Sequence, residues 1–277
     1  MKLIAESGST KTDWRCINEN GEVLAYSTIG YNPYFMNAKE ISEHISSNLK
    51  INYKAIADVY FYGAGCSDTA KQNIVKLGLS TVFEHATIYV ESDLLGAARA
   101  LCGREAGIAA ILGTGSNACF YNGEQIQDTS SSLGFILGDE GGGTQIGKKL
   151  IQSFLYDQMP AELNEVFRLK YEIKREAVLD AVYHQSRPNA YLASFAKFAA
   201  EFQQHPFIEQ LLESCFSDFF NNHISRYKSY SLNQIHFTGS IAVACSSILK
   251  KVAHKNGYEF VDILSSPVER LNNYHRG

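Results

Sequence analysis

The stretch Ile4-Ala5-Glu6-Ser7-Gly8-Ser9-Thr10-Lys11-Thr12-Asp13-Trp14 decides the fold of this chain. A short apolar strand runs into a turn of small hydroxyl and glycine residues, and an apolar strand leads out. The design returns later as Ile111-Leu112-Gly113-Thr114-Gly115-Ser116-Asn117-Ala118-Cys119-Phe120. Such turns have little side-chain bulk and free backbone N–H groups, so a nucleotide phosphate chain can approach them closely. The pair predicts two turns that hold one phosphate chain.

The order of predicted elements repeats around these turns. Asn20-Gly21 and Asn122-Gly123 lie between apolar runs, which is a strong hairpin signal. The first half has predicted strands at 2–5, 14–18, 23–27, 59–62 and 86–90, with helices at 38–49, 68–77 and 94–101. The second half has strands at 108–112, 118–121, 126–129, 234–237 and 258–264, a helix at 241–254 and mostly helical sequence from 160 to 230.

Each half therefore has the order β-β-β-α-β-α-β, and an internal duplication is more informative than any single motif. We expect two duplicated α/β domains that face each other across a cleft, at residues 1–104 and 105–277. The second would contain a helical insertion at about 145–230. A cleft between the two domains is the expected ligand site. The alternative is one larger doubly wound sheet.

Composition excludes several classes of protein. Apolar residues make up 45% of the 277 and charged residues 19%, so the chain can bury a large core. The net charge is −4 and no basic run is present, which argues against a nucleic-acid partner. No apolar stretch is long enough for a membrane span. The six cysteines are scattered without a CxxC pair, as is typical of free thiols in a reducing cytoplasm.

The phosphate contacts are expected to come from the turns, because neither GxxxxGK[ST] nor a helix-opening GxGxxG is present. Taken alone, each turn is explained by the ordinary preference of Gly, Ser and Thr for turns. The recurrence of the same kind of turn at equivalent places in the two halves favours the functional interpretation. The candidate nucleotide-binding residues are Gly8, Ser9, Thr10, Lys11 and Thr12, then Gly113, Thr114, Gly115 and Ser116, and finally Thr238, Gly239 and Ser240.

Three carboxylates stand where a strand ends or a helix begins. Asp93 follows a predicted strand, and either it or Ser92 is placed to cap the next helix. Asp93 is also placed to act as a general base that accepts a proton from a hydroxyl during phosphoryl transfer, and the two roles are compatible. Asp139-Glu140 lies in a glycine-rich segment directly before a predicted helix. The favourable interaction of a carboxylate with the helix dipole is sufficient to explain an acidic residue there. The glycines also leave room for sugar hydroxyls or a Mg²⁺ water shell.

With these motifs assembled, the chain resembles the sugar-kinase, Hsp70 and actin superfamily. More narrowly, it resembles the BadF/BadG/BcrA/BcrD-type ATPase family, in the group that includes N-acetylglucosamine kinases. The resemblance covers nearly the whole chain. It is carried by Glu6–Thr12, Ser92–Ala97, Gly113–Asn117, Gly138–Gly141 and Thr238–Ser240.

The resemblance implies that both domains have the ribonuclease H-like (actin-like ATPase) fold. It also implies ATP with Mg²⁺ and places the catalytic base on Asp93. It implies nucleotide contacts at Thr10, Thr114 and Gly239. The sugar contacts that it implies, together with neighbouring candidates, are Asn32, Gly63, Gly65, Asn117, Gly134, Asp139 and Glu140. Three departures stand out: Ser7 and Ser9 replace glycines, Leu133 replaces an aromatic residue, and the C-terminus lacks the small-residue closing helix of relatives.

The leading hypothesis is an ATP-dependent kinase of an amino sugar, either N-acetylglucosamine or N-acetylmuramic acid. A second hypothesis is an ATPase that activates a partner dehydratase through an iron–sulfur cluster, for which Cys66 is the candidate by position. A third is a non-catalytic sugar or nucleotide sensor. The expected partner is a small-molecule sugar, with neither a nucleic acid nor a membrane involved. The expected location is the cytoplasm, and a homodimer is compatible with the resemblance.

Overall fold

The computed structural model describes residues 1–8 and 10–276. Within them the chain forms two compact units. The first unit comprises Met1–Glu105, Gly123–Gln125 and the C-terminal residues from Ser266, and the second comprises Ala106–Asn122 and Ile126–Ser265.

The first unit is built on a mixed five-stranded sheet. Its elements are β1 (Lys2–Ser7), β2 (Lys11–Ile17), β3 (Val23–Ile29), α1 (Ala38–Asn48), a 3₁₀ turn (Tyr53–Ala55), β4 (Asp58–Gly63), α2 (Thr69–Val82), β5 (Thr87–Ser92) and α3 (Asp93–Cys102). The strand order is β3-β2-β1-β4-β5. The first three strands are antiparallel neighbours, whereas β4 and β5 run parallel to β1.

Local sequence explains why these helices begin where they do. Asn37 caps α1 in a capping box with Glu40, and Asp68 accepts a hydrogen bond from Lys71 N at the start of α2. The predicted cap at Asp68 is therefore confirmed, although α2 runs on to Val82. Leu3, Ala5 and Trp14 are fully buried in the core of this unit.

The second unit repeats the sheet and adds helices. Its elements are β6 (Ala106–Leu112), β7 (Ser116–Asn122), β8 (Ile126–Thr129), α4 (Gly134–Leu137), α5 (Gly143–Leu155), α6 (Ala161–Tyr171), α7 (Arg175–Tyr183), α8 (Pro188–Ser194), α9 (Ala196–Glu201), α10 (Pro206–Phe219), a π-helical turn (Phe220–Ile224), a 3₁₀ helix (Ser225–Tyr230), β9 (Gln234–Thr238), α11 (Ser240–Ala244), α12 (Ser246–Lys255) and β10 (Glu259–Leu264). The strand order is β10-β9-β6-β7-β8, which is the order of the first sheet with each strand replaced by its counterpart. The predicted duplication is confirmed.

The helices between α5 and β9 form the insertion, and their aromatic side chains lie in the core, as expected. Phe167, Phe198, Phe216 and Phe219 are fully buried there. The predicted single helix over 241–254 is wrong in one respect, because it breaks into α11 and α12 at Cys245. No helix among the described residues has the length and apolar character needed to cross a membrane.

The C-terminal segment differs from the predicted domain division. Residues from Ser266 onward belong to the first unit, not to the second as the range 105–277 had placed them. Helix α13 (Val268–Tyr274) packs on α3, β1 and β2. Val268 and Leu271 are buried, and Glu269 accepts a 2.6 Å hydrogen bond from Arg15 Nε. A closing helix is therefore present, although it is not built from small residues.

Candidate functional site

The first phosphate turn is held by buried hydroxyls. Ser7 Oγ and Thr12 Oγ1 lie 2.7 Å apart, Thr12 donates to Ile29 O, and Ser7 Oγ accepts from Tyr31 N. Both hydroxyl residues are fully buried. Thr12 therefore fixes the turn and does not present its hydroxyl to a ligand, which corrects its predicted contact with a nucleotide.

The rest of this turn remains accessible. Gly8 N donates to Lys11 O across the turn at 2.9 Å, and Thr10 is exposed. The Lys11 ammonium lies 2.7 Å from the Asp13 carboxylate and is also largely exposed. Ser9 was predicted to bind the nucleotide as well and lies outside the described residues. Thr10 and Lys11 are thus the described side chains of this turn that a phosphate can reach.

Strand register brings the candidate base to the same sheet edge as this turn. Ser7 is paired with Gly63 on β4, and Gly63 is paired with Ser92 on β5. Since these three strands are parallel, their carboxyl ends lie side by side, which is where open α/β sheets bind ligands. Asp93 follows immediately as the first residue of α3.

Asp93 is not the cap of its helix. Ser92 takes that role, because its side chain accepts from Leu95 N, while Asp93 Oδ1 accepts from Leu94 N at 2.8 Å. Burial raises the pKa of the Asp93 carboxyl, and hydrogen bonds from backbone N–H groups oppose the rise in part. A carboxylate with a raised pKa is a stronger proton acceptor than an ordinary one.

Glu6 is a functional candidate that the sequence analysis missed. It is the penultimate residue of β1, paired with Asp13 on β2 and Tyr62 on β4. Burial, then the charges of Asp93 and Asp13, raise the pKa of Glu6 to about 7. A carboxyl inside an otherwise apolar strand, directly before the phosphate turn, was the available signal.

The substitution Glu6→Gln tests this electrostatic arrangement through stability. The folded protein holds a proton on Glu6 up to a pKa of about 7, whereas the unfolded chain loses it near 4.5. Between these two pH values the unfolded chain releases the proton and the folded protein keeps it, so stability falls progressively across this range and the loss is complete above it. We expect Glu6→Gln to stabilise the protein by up to about 3 kcal/mol at pH 8 and by little below pH 4.5.

Urea unfolding across this pH range measures the effect, with Glu19→Gln in the exposed hairpin loop as the matched control. The control is expected to show no pH-dependent gain. A Glu6→Gln gain that is equal at all pH values would contradict a raised pKa.

The predicted sugar-contact residues of the first unit lie together. A Cβ atom added to Gly65 would come within 2.5 Å of Asn32 Oδ1, and Gly65 has φ of +81°, so glycine is required there. Asn32 Oδ1 also accepts from Tyr34 N at 2.9 Å. Gly63 packs tightly on Phe61 and Cys66, where an added Cβ would meet the Phe61 ring at 2.5 Å. These contacts bring Asn32 and Gly65 together and fix Gly63 within its strand.

Two motifs that are distant in sequence meet in the second unit. Gly113 N donates to Gly115 O, and the carbonyl of Gly113 accepts from Gly143 N at the start of α5. A Cβ added to Gly115 would lie 2.6 Å from Asp139 Oδ1. Ser116 N donates to the same carboxylate oxygen over 3.4 Å. The second phosphate turn is therefore packed directly against the Gly138–Gly143 segment.

A third glycine segment joins them. Gly239 has φ of +110°, and an added Cβ would lie 2.3 Å from Leu112 O and 3.1 Å from Gly113 N. Thr238 is buried and donates its hydroxyl to Leu264 O at 3.0 Å, so its predicted contact with a nucleotide is replaced by a structural role. Ser240 is exposed at the start of α11.

The Asp139-Glu140 turn precedes helix α5 and does not lie within it. Asp139 has φ of +60°, a left-handed conformation that Asp tolerates better than most residues. Burial raises the pKa of Asp139, the Ser116 N–H opposes the rise, and the Glu140 charge adds to it.

The other two predicted sugar contacts of the second unit are Asn117 and Gly134. Asn117 Oδ1 accepts from Ala118 N at 2.9 Å. Gly134, with φ of +69°, begins the short helix α4.

The carboxylates of Glu6 and Asp93 fit a Mg²⁺ ion that binds together with a nucleotide. Among the described residues no group of three or more His, Cys, Asp and Glu side chains is arranged to hold a metal. Mg²⁺ is usually bound by one or two carboxylates together with substrate phosphates and water, so such a cage is not needed. The electrostatic repulsion between Glu6 and Asp93 is what a cation would relieve.

Comparisons with known proteins identify the family of this chain. The family model of the BadF/BadG/BcrA/BcrD ATPase family matches residues 6–204. A candidate N-acetylglucosamine kinase from Porphyromonas gingivalis is 40% identical with a TM-score of 0.93, and the match covers 99% of this chain and 98% of that one. No protein among curated sequences matches significantly.

Two more distant structures share the fold alone. A candidate N-acetylglucosamine kinase from Chromobacterium violaceum is 15% identical with a TM-score of 0.66, covering 99% of this chain and 98% of that one. A ROK family glucokinase from Streptomyces griseus, determined with glucose and AMPPNP, is 12% identical with a TM-score of 0.56, covering 100% of this chain and 99% of that one.

Proposed function

Since the chain belongs to the BadF/BadG/BcrA/BcrD ATPase family, we propose that it is an ATP-dependent sugar kinase and that its acceptor is an amino sugar. The observation that carries the proposal is the position of Asp93. Its carboxyl, with a raised pKa, stands at the strand-end edge that also bears the first phosphate turn.

The chemistry assigned to Asp93 is proton transfer. As the sugar hydroxyl oxygen attacks the terminal phosphorus of ATP, its proton passes to the Asp93 carboxylate, and the bond from that phosphorus to the ADP oxygen breaks. Such a base contributes roughly 10²–10⁴-fold to the rate. The transferring group needs positioning and charge stabilisation more than covalent help. Mg²⁺, when bound, neutralises charge on the phosphates, and Glu6 is the residue assigned to its water shell.

The remaining residues are assigned to binding. Thr10 and Lys11 of the first turn would contact phosphates, as would the N–H groups of Thr114 and Gly115 in the second unit. The N–H groups of Gly8, Gly113 and Ser116 already donate within the protein. Gly239 and Ser240 are assigned to the nucleotide. The sugar hydroxyls are assigned to a set that consists of Asn32, Gly63, Gly65, Asn117, Gly134 and Asp139. Among the described residues nothing lies within 4 Å of a Cβ added to Gly134, so a ligand atom can approach the backbone closely there.

Two observations support an amino sugar as the acceptor. One is the 40% identity to the Porphyromonas gingivalis protein across nearly the whole chain. The other is an exposed apolar patch made by Leu133, Ile136 and Leu137, which are 58%, 71% and 73% exposed around Gly134. The methyl group of an acetamido substituent would find apolar contacts there, whereas an unsubstituted hexose has no group that needs them.

The dehydratase-activator alternative fits less well. An iron–sulfur cluster needs accessible thiolates. Cys66 is fully buried, and burial, followed by the charges of Asp93 and Asp68, raises the pKa of its thiol to about 12. Cys66 instead packs beneath Gly63, where an added Cβ would lie 2.9 Å from Sγ.

A coupled ADP-release assay tests the proposal. The panel contains N-acetylglucosamine, N-acetylmuramic acid, N-acetylmannosamine, glucosamine, glucose and a sample without sugar. We expect ADP release that depends on sugar and is fastest with an N-acetylated member. Tight sugar binding without ADP release would instead indicate a sensor, and equal ADP release with and without every sugar would contradict a kinase.

A further inference from the structure

A hydrogen-bonded chain of side chains runs from Glu140 into the core of the second unit. Glu140 Oε1 accepts from Asn222 Nδ2 at 2.9 Å, and Glu140 Oε2 lies 2.9 Å from His223 Nε2. His223 Nδ1 lies 2.6 Å from Ser130 Oγ. We call these four residues the Glu140 relay. Both carboxylate oxygens and both ring nitrogens are thereby engaged.

The inner end of the relay is rigid. His223 and Ser130 are each only 4% exposed, and the imidazole stacks on Phe219 with ring centroids 5.1 Å apart. The backbone of Ser130 is also held, since Ser130 N donates to Tyr227 Oη at 3.1 Å. Tyr227 in turn donates to Ala118 O on β7 at 2.8 Å. The relay is therefore fastened to the sheet.

The two donors to Glu140 come from an uncommon element. Asn222 and His223 lie on the π-helical turn Phe220–Ile224 that follows α10. Single π-turns of this kind are rare and occur frequently at functional sites. Here the turn lets two consecutive side chains reach the two oxygens of one carboxylate.

An ionised carboxylate can only accept, so His223 Nε2 donates to Glu140. The other ring nitrogen, Nδ1, shares a hydrogen bond with the Ser130 hydroxyl. Burial raises the pKa of Glu140, but hydrogen bonds from His223, from its own backbone and from Asn222 outweigh this and hold the pKa below its usual value.

The same four groups do not form a nucleophilic triad. A serine nucleophile must be approached by its substrate, and Ser130 is buried with its hydroxyl already committed to His223. The Glu140 relay therefore has no catalytic nucleophile, and its effect must pass to a residue next to it.

The residue on which the Glu140 relay acts is Asp139, the neighbour of Glu140 in sequence. Asp139 and Gly141 flank Glu140 with φ of +60° and +73°, so the turn has a conformation that needs support from its surroundings. The Asp139 carboxylate sits against Gly115 and accepts from Ser116 N. Because Glu140 stands between these two residues of positive φ, the hydrogen bonds to its side chain hold the backbone of the turn that carries Asp139.

We propose that Asn222, His223 and Ser130 are positioning residues that, through Glu140, hold the Asp139 turn in the conformation that binds the acceptor sugar. This inference rests on the proposed sugar-kinase function. It assigns to the π-helical turn a role in sugar affinity that is separate from nucleotide binding and from proton transfer by Asp93.

The test compares His223→Phe, His223→Gln and Ser130→Ala with wild type. Phe keeps the ring against Phe219 but removes both hydrogen bonds, whereas Gln retains a donor for Glu140. We expect His223→Phe to raise the KM for the sugar about tenfold or more while the KM for ATP stays within about twofold. His223→Gln should restore part of the sugar affinity, and Ser130→Ala should raise the sugar KM several-fold.

His254→Phe on the exposed face of α12 is the matched control and should leave both constants unchanged. Thermal unfolding checks that each variant is folded, and Ser130→Ala provides the test should His223→Phe not fold. An unchanged KM for the sugar in the folded relay variants, or equal increases in the KM values for sugar and ATP, would overturn this inference and leave the proposed function standing. A wild-type protein that phosphorylates no sugar would overturn the proposed function and this inference with it.

Discussion

The Asp93→Asn enzyme is expected to retain its fold and to lose about 10²–10⁴-fold in kcat, because an amide cannot accept the proton of the sugar hydroxyl. The Leu94 N–H can still donate to the amide oxygen, so the start of α3 is preserved. The KM values for sugar and ATP should change little in comparison with kcat. Steady-state kinetics with the best sugar of the panel measures the loss.

Ser92→Ala separates catalysis from helix capping. Ser92 is the residue whose side chain caps α3, so its removal should cost about 1 kcal/mol of stability and leave kcat nearly unchanged. The pH profile adds a second check. Wild-type kcat/KM should fall as the pH drops through the raised pKa of Asp93, and Asp93→Asn should lose this limb. A kcat within a few-fold of wild type would remove Asp93 from the mechanism.

Gly239→Ala is expected to destabilise the protein strongly, although it adds only one methyl group. Gly239 has φ of +110°, and its new Cβ would lie 2.3 Å from the carbonyl oxygen of Leu112. Backbone strain and the steric clash together should cost on the order of 2–5 kcal/mol. Chemical denaturation measures this loss, and the displaced Leu112–Gly113 backbone should also weaken ATP binding.

Gly113→Ala is the matched control in the adjoining turn. Nothing lies within 4 Å of an added Cβ at this position among the described residues, so stability should be nearly unchanged. The methyl group would project into open space beside the turn and should therefore weaken ATP binding without unfolding the protein. Equal stability losses for the two variants would contradict the close packing of Gly239 on Leu112.

The fold was predictable because local signals agreed with one another. Asn-Gly turns fixed both hairpins, and the strand–turn–strand pattern around Gly8 and Gly113 exposed the duplication. The identical strand order of the two sheets confirms it. The C-terminal helix could not be assigned, because its place depends on Val268 and Leu271 packing on α3, β1 and β2, which leaves no periodic signal in a short segment.

The candidate site was predictable in its motifs and not in its contacts. Side-chain type suggested that Thr12 and Thr238 face a ligand, yet both hydroxyls donate to backbone carbonyls of the neighbouring strand. The raised pKa of Glu6 depends first on burial and then on the charges of Asp93 and Asp13, of which strand pairing supplies Asp13. Asp139 meets Gly115 only because two loops separated by more than twenty residues pack together. Each of these facts is set by tertiary structure.

The most direct test of the Asp93 mechanism follows the terminal phosphoryl group of ATP. Wild-type protein and Asp93→Asn are each incubated with ATP labelled in that group and with N-acetylglucosamine, and the label is traced by chromatography. We expect the wild-type protein to transfer the label to the sugar as a phosphate ester and the variant to leave it on ATP. Label found only in inorganic phosphate, in the same amount with and without sugar, would contradict a sugar kinase.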